Sequence, residues 1–460
     1  MSIAAALLAV VVFTLIGVAF GILTGLVPGV HVNTVATFIL AFQVPLFVFV
    51  ADVGSSFGAG LEDASLLVSV LIVGMLVTHT FLDIIPSIFL GAPDDETALS
   101  VLPGHRMMKQ GRGYEAIKCS ALGSFGAVFV ALLAVFPARV LMGSPVGAYD
   151  KLMPIVPWLL IAISGMMIWG EKANLAKMTP KRQMEMGDNG KPELKDHLRQ
   201  RGFALLIFLM SGIYGLIVLR APLNTYNILP FPKLSASMLF PMFSGLFGIA
   251  GLFLSLWDEV QFAPQKTDGV EIGLSQKARW KGITAGSFAG SLVGWFPGIS
   301  SASATVVAQA LTNRGEKEDA DKEFIIAVSG VNTANAIMNV LALFVILKAR
   351  SGAMQAVATV MGSRLVSWEP LGNVPSDMAL LLLAVVIAGF FALVLVLFIG
   401  KWFARVYDRV PYRKLTTGII LMLIVLVALL SGPVGLGVLA VGVCIGLLPV
   451  SYTHLRAHET

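Results

Sequence analysis

Gly17-Val-Ala-Phe-Gly21-Ile-Leu-Thr-Gly25-Leu-Val-Pro28-Gly29 and Gly286-Ser-Phe-Ala-Gly290-Ser-Leu-Val-Gly294-Trp-Phe-Pro297-Gly298 are two copies of one pattern, Gly-x3-Gly-x3-Gly-x2-Pro-Gly. All five fixed positions recur with one shift, 269 residues from Gly17 to Gly286. Glycine is frequent here, 46 of 460 residues, so a single shared pair carries little weight. Five in register, a Pro-Gly among them, mark an internal duplication, which is a transporter signature. Glycines four apart line one helix face and let a second backbone come close. Proline and glycine then break the helix. In a membrane the freed backbone groups are tolerated only inside protein or beside water.

The solvent around these segments is lipid. Hydrophobic residues make up 57% of the chain, charged residues 13%, and mean hydropathy is +0.84. A soluble domain carries about 25% charged residues, so too little polar surface remains to cover this chain in water. Apolar segments run over roughly 3–24, 31–50, 64–91, 116–136, 152–169, 203–219, 237–257, 282–296, 298–312, 324–347, 377–400, 416–430 and 433–450. A full helical span needs about 20 residues. Segments 282–296 and 298–312 fall short of that and read as a re-entrant hairpin or two broken helices. The expected fold is an all-α membrane protein with about 11–13 transmembrane or re-entrant segments in two inverted repeats. Residues 1–269 form the first unit and 270–450 the second. The string Ser451-Tyr-Thr-His-Leu-Arg-Ala-His-Glu-Thr460 departs from the pattern and reads as a non-native tail.

Charge sets the orientation. The loop 170–201 holds eight Lys/Arg, and the loops 103–118 and 401–414 are also basic, which places all three in the cytoplasm of a cell-membrane protein. The net charge of +5 lies in these loops and does not indicate nucleic acid. Cys119 and Cys444 are far apart in apolar stretches, against a disulfide or a thiolate metal site. Five spans separate the two motifs, and an odd number inverts the second unit. The second motif follows the basic residues Lys277, Arg279 and Lys281, whereas the first follows an uncharged end.

Three polar groups inside apolar segments carry the chemistry. After each break a new helix would begin near His31 or Ser300, and its free N–H groups and positive dipole end suit an anion. The residues there are His31, Asn33 and Thr34 in one copy and Ser300, Ser301, Ser303 and Thr305 in the other. Packing kinks with back-bonded hydroxyls are the alternative, and paired breaks at a repeat interface favour binding. Asn332, Asn335 and Asn339 share a helix face, with Thr333 beside them. Their amides suit Na⁺ or a carboxylate, and equally suit interhelical hydrogen bonds. His79 and Asp83 lie four apart in an apolar run and can touch. With Asn339 they are ion-coupling candidates, since an intramembrane ionisable residue is functional by default. Lys348 and Arg350 read as either solvated loop charges or cations beside a site.

Enzyme readings find little support. No His-Glu-x-x-His, no Gly-x4-Gly-Lys-[Ser/Thr] and no second clearly intramembrane aspartate occur. No cofactor and no bound metal other than Na⁺ are expected.

The doubled motif, Pro93 through Gly104, and Asn332-Thr-Ala-Asn-Ala336 together resemble the large membrane subunit of the tripartite tricarboxylate transporters. The likeness covers most of residues 15–400 in order. It implies an ion-coupled permease for carboxylates, driven by Na⁺ or H⁺, assisted by a small membrane subunit and an extracytoplasmic binding protein. It also implies that Gly25, Pro28, Gly29, Gly294, Pro297, Gly298, Asn332 and Asn335 sit near substrate. This chain departs from the family at His31 and Ser300, where a further glycine is usual, and at Ser329-Gly330-Val331, where Pro-Glu is usual. The other classes open to the sequence are a passive anion channel and an intramembrane enzyme.

Overall fold

The computed structural model describes residues 3–27, 30–41, 43–58, 60, 63–90, 101–170, 194–220, 238, 241–242, 244–256, 263–296, 301–312, 317–369, 372–406 and 412–454. These residues are helical with no strand among them, and seven helices are long and apolar enough to cross a membrane. Three shorter apolar helices accompany them. The chain divides into two compact units, 1–154 with 259–412, and 155–258 with 413–460. Both copies of the glycine motif fall in the first.

In the first unit, α1 (Ile3–Leu26) carries the first motif. It is followed by α2 (Val32–Ala41) and α3 (Gln43–Ser55), so the expected segment 31–50 is two helices. Next come α4 (Ala64–Leu82) and α5 (Ile84–Leu90). Asp83 between them keeps helical angles (φ −58°, ψ −23°), so the expected segment 64–91 stands as one span, Ala64–Phe89, with a local turn at Asp83. Pro86 has no N–H to give Leu82, so the helical ladder loosens there. The unit continues with α6 (Val101–Lys109), α7 (Gly113–Met142) and α8 (Ala148–Leu152). The second unit holds α9 (Val156–Gly170), α10 (Leu194–Arg220), a π-helical turn Ser244–Ile249 and α11 (Ala250–Ser255). The first unit resumes with α12 (Gln276–Val293), α13 (Ser301–Leu311), α14 (Lys317–Val345), α15 (Gly352–Met361) and α16 (Ser376–Val406). Last, in the second unit, comes α17 (Tyr412–His454), bent at Gly432 where φ is 63°. That bend falls between the expected segments 416–430 and 433–450.

The glycines explain how the first unit is assembled. Gly17, Gly21 and Gly25 of α1 press on Leu71, Met75 and His79 of α4. Gly286, Gly290 and Gly294 of α12 press on Ala327, Val331 and Asn335 of α14. A Cβ at Gly21 would stand 2.5 Å from Thr78 Cβ and 2.8 Å from Met75 O, closer than real side chains come. The partners are related by one shift of 256 residues, from Leu71 to Ala327, Met75 to Val331 and His79 to Asn335. The duplication therefore extends beyond the motif to the helix it grips. Within each pair both numberings rise together, so α1 runs parallel to α4 and α12 parallel to α14.

A third helix packs on each pair. Gly123 and Gly143 of α7 meet Ile326 and Val345 of α14, so these two run parallel. Gly389 and Gly400 of α16 meet Val128 and Ile117 of α7, so these two run antiparallel. Phe89 at the end of α5 touches Gly113 at the start of α7, a reversal of direction. Charges gather where α7 and α14 begin: Arg106 with Asp321, Lys322 with Glu115 at 3.4 Å, and Lys281 with Glu323 at 3.6 Å. The segment 263–275 lies at this same end, tied by Gln265 to Gly113 N, by Lys118 to Val270 O and by Lys322 to Gly273 O. Asp268 adds Lys401 and Arg405 from the end of α16. At the start of α16, Arg364 holds Asp377 and Asp63.

In the second unit Tyr214 Oη donates to Val438 O at 2.6 Å, and Gly245 packs on Leu439 and Gly442 of α17.

Gly290→Val puts a side chain into the Val331 backbone, an overpacking cost of about 1–3 kcal/mol. Gly212 on α10 has open space around it. Thermal unfolding in detergent should show Gly290→Val several degrees below wild type and Gly212→Val unchanged. Equal melting of both variants would contradict the backbone contact.

Candidate functional site

The glycine contacts set the height at which each broken helix meets its partner. In the first copy α1 ends at Leu26 and α2 starts at Val32. In the second, α12 ends at Val293 and α13 starts at Ser301. Pro28, Gly29, Pro297, Gly298 and Ser300 lie outside the described residues, as do the side chains of Thr34 and Ser303. The acidic run Asp94-Asp95-Glu96 also lies outside them.

The two breaks return polar groups to related places. His31 lies edge-on to His79 of α4, ring centroids 5.1 Å apart at 62°. Ser301 accepts a hydrogen bond at 2.7 Å from Asn335 Nδ2 of α14. His79 and Asn335 are the residues that the 256-residue shift equates, and both sit against the third glycine of their motif, Gly25 or Gly294. Around Ser301, Thr305 Oγ1 donates to Ser301 O at 3.0 Å. His31 Nδ1 accepts from Asn33 N at 3.1 Å, which leaves the ring proton of the neutral imidazole on Nε2.

Two hydrogen bonds join α4 directly to α14. Asn332 Nδ2 donates to Asp83 Oδ2 at 2.7 Å, and the hydroxyls of Thr80 and Thr333 are 3.2 Å apart. Asp83 is 2% exposed and Asn332 1%, so the carboxyl lies in protein, not in water or lipid. Asp83 sits at the α4–α5 joint, where its backbone N–H still bonds His79 O at 3.0 Å. The sequence spacing allowed His79 and Asp83 to meet each other. In the structure His79 turns to His31, and Asp83 bonds Asn332. Oxygens remain unused on the same two helices: Thr78 Oγ1 on α4, and Asn332 Oδ1 and, two turns further on, Asn339 Oδ1 on α14 are buried with no hydrogen-bond partner among the described residues. Such oxygens suit a cation, because a buried acceptor left bare is costly.

Arg350 and Asn33, both candidates from the sequence, and further hydroxyls make contacts in this unit whose partners the sequence does not name. Arg350 donates to Phe296 O, just before the second break. Asn33 Oδ1 accepts from Ala353 N at 2.8 Å, which brings α15 to the first break. Ser351 starts that helix, its Oγ accepting from Met354 N at 3.2 Å. Ser329 Oγ donates to Ser120 Oγ at 2.8 Å between α14 and α7. A serine amid apolar residues shows no partner in sequence, so that pair was not foreseeable.

The model of a family described as the tripartite tricarboxylate transporter TctA family matches residues 11–458 of this chain. An uncharacterized protein of Methanocaldococcus jannaschii is 28% identical over 351 residues, 75% of this chain and 71% of that protein. No solved structure matches the chain.

Asn332→Ala removes the donor to the buried Asp83 carboxyl and should destabilise the protein by about 1–3 kcal/mol. Adding Asp83→Asn should change stability by an amount that does not sum with the first loss, because the two groups are in contact. A thermal double-mutant cycle in detergent checks this. Strictly additive losses would mean that the two side chains do not interact.

Proposed function

The chain belongs to the tripartite tricarboxylate transporter TctA family, and on that premise we propose that it is the permease of an ion-coupled uptake system for carboxylates. Family membership makes it a component of a tricarboxylate transporter, and its several apolar helices make it a multi-pass membrane protein.

One observation carries it. Two helix breaks, one after each copy of the repeated motif, bring His31 to His79 and Ser301 to Asn335, and the partners His79 and Asn335 are related by the 256-residue shift. Helix N-termini following a break are electropositive and hydrogen-bond donating, which suits a carboxylate. Substrate lies between the breaks, contacted by Gly25, Pro28, Gly29, His31, Asn33 and Thr34 on one side. Gly294, Pro297, Gly298, Ser300, Ser301, Ser303, Asn332 and Asn335 face it from the other. The coupling ion, Na⁺ or H⁺, uses Asp83 with His79 and Asn339. The carboxyl of Asp83 and the bare oxygens of Thr78, Asn332 and Asn339 support this role.

The repeats are inverted with respect to each other, with the basic end in the cytoplasm of a cell-membrane protein. Support comes from the helix directions: α12 runs with α14 and α7, while α7 reverses the direction of α4 and α5, and α1 runs with α4. Rocking of one repeat against the other about the central site then gives alternating access. A small membrane subunit and an extracytoplasmic binding protein complete the system.

Purified protein in proteoliposomes should take up labelled citrate or a related carboxylate under a Na⁺ or H⁺ gradient and show saturable counterflow. Single-channel current without counterflow would indicate a pore. Well-folded protein inert to every carboxylate under both gradients would overturn the substrate class. Ser301→Ala and Asn335→Ala should each raise KM about tenfold, within the range for a hydrogen bond to a charged group, in protein that still folds, with a modest loss of thermal stability from their broken mutual hydrogen bond. For topology, single cysteines at Ser2 and Ser275 should label from opposite faces. Labelling from one face would rule out inversion.

A further inference from the structure

We infer that Arg350 determines substrate specificity by pairing with a carboxylate of the substrate where the two helix breaks meet. This rests on the carboxylate-uptake reading above and deepens it.

Four consecutive residues reach both copies of the motif. Arg350 Nη2 donates to Phe296 O, the residue before Pro297. Three residues on, Ala353 N donates to Asn33 Oδ1, and Asn33 N in turn donates to His31 Nδ1. Gly352 between them lies so near Asn33 that a Cβ there would stand 2.9 Å from Asn33 Cβ. The turn that carries the chain from α14 to this place includes Leu347, held at φ 53°. A non-glycine residue in that conformation is uncommon and persists where its surroundings fix it. Arg350 is thus delivered to the junction by fixed backbone.

No carboxylate among the described residues pairs with its charge, and Tyr149 is the group that works against burial there. Several cations of this unit face carboxylates, Lys322 with Glu115, Arg364 with Asp63 and Asp377, and Lys401 with Asp268, while Lys118 and Arg279 donate to carbonyls at the charged end. Arg139 is spent on structure, with Nη2 on Trp368 O at 2.8 Å and its guanidinium over the Trp368 ring. Lys348 is exposed. Arg350 is half-buried, and burial lowers its pKa with no carboxylate among the described residues to oppose it. Its Nε is buried without a hydrogen-bond partner. One Nη therefore anchors the fork just beyond the α12 terminus, while Nε has no acceptor among the described residues. A guanidinium can hold a carbonyl with one donor and a carboxylate with others, and it stays charged at any working pH. A substrate carboxylate between the breaks supplies the missing anion, and Ser351 and Gly352 add only a small profile beside it.

The other role open to Arg350 is capping the carbonyl end of α12, which a cation also favours. Kinetics separate the two. Full-length wild type, Arg350→Gln and Arg350→Lys are reconstituted and assayed with citrate and with its mono-amide, alongside thermal unfolding. Arg350→Gln should raise KM for citrate about tenfold or more, the scale of a lost charge-assisted bond, with kcat changing less. It should also lose the wild-type preference for citrate over the amide, and Arg350→Lys should recover part of both. An unaltered KM and an unaltered citrate-to-amide ratio, with only the melting temperature lowered, would leave Arg350 as a cap and overturn the inference. Should Arg350→Gln fail to fold, Arg350→Lys decides: a raised KM at wild-type melting temperature supports it, and wild-type KM overturns it. A wild type that transports no carboxylate overturns the function proposed above together with this inference. Wild-type uptake beside unaltered variants overturns this inference alone.

Discussion

Direct backbone contact between a glycine-lined helix and a polar-bearing helix is the constraint on which the first unit depends. At Gly286 and Gly290 the facing atoms are backbone carbonyls of Ala327 and Val331, and at Gly17 the carbonyl of Leu71. Lipid gives helices no hydrophobic reason to associate, so close van der Waals contact must do it. The price of that closeness is the absence of any side chain on one face. The contact also fixes register, because a shift of one residue along either helix puts a larger neighbour against the carbonyl. With register fixed, His79 and Asn335 come opposite the ends of the two broken helices.

The same contacts show how the copies have diverged. The shift that equates His79 with Asn335 also equates Asp83 with Asn339. The first copy thus carries ionisable groups, His31, His79 and Asp83, where the second carries hydroxyls and amides. The hydrogen bond from Asn332 to Asp83 and the Thr80–Thr333 contact cross between copies, so the two sets form one polar region. A typical interhelical bond in a membrane averages about 0.6 kcal/mol. A buried carboxyl raises the stakes, because a hydrogen bond lost from it is lost in a medium of low dielectric. This region is therefore held by geometry that neither copy could supply alone.

Charge at one end serves a different purpose. Arg106, Lys322, Lys281, Lys401 and Arg405 each face an acid there, and the 263–275 segment is tied across the same end. Ion pairs near a surface contribute little singly. As a set they hold the ends of α7, α12, α14 and α16 together, which matters for helices whose middles are joined by a few polar contacts.

The sequence by itself determined the membrane class, the duplication and the polar positions. Composition reports the solvent, glycine spacing reports a helix face, and Pro-Gly reports a break, all of them local properties. It also disclosed Asn332 and Asn335 as sharing one face, though not that they reach different partners. The tertiary structure decided the pairings: Asp83 with Asn332 across 249 residues, His31 with His79, and Arg350 with the break before Pro297. Local spacing allowed His79 and Asp83 to touch, and only the packing shows the distant groups that each also takes, His31 for the ring and Asn332 for the carboxyl. Arg350 read equally as loop charge because nothing near it in sequence says where its turn leads. Which distant side chain fills a given contact depends on how helices pack, and that is set by shape summed over the whole unit.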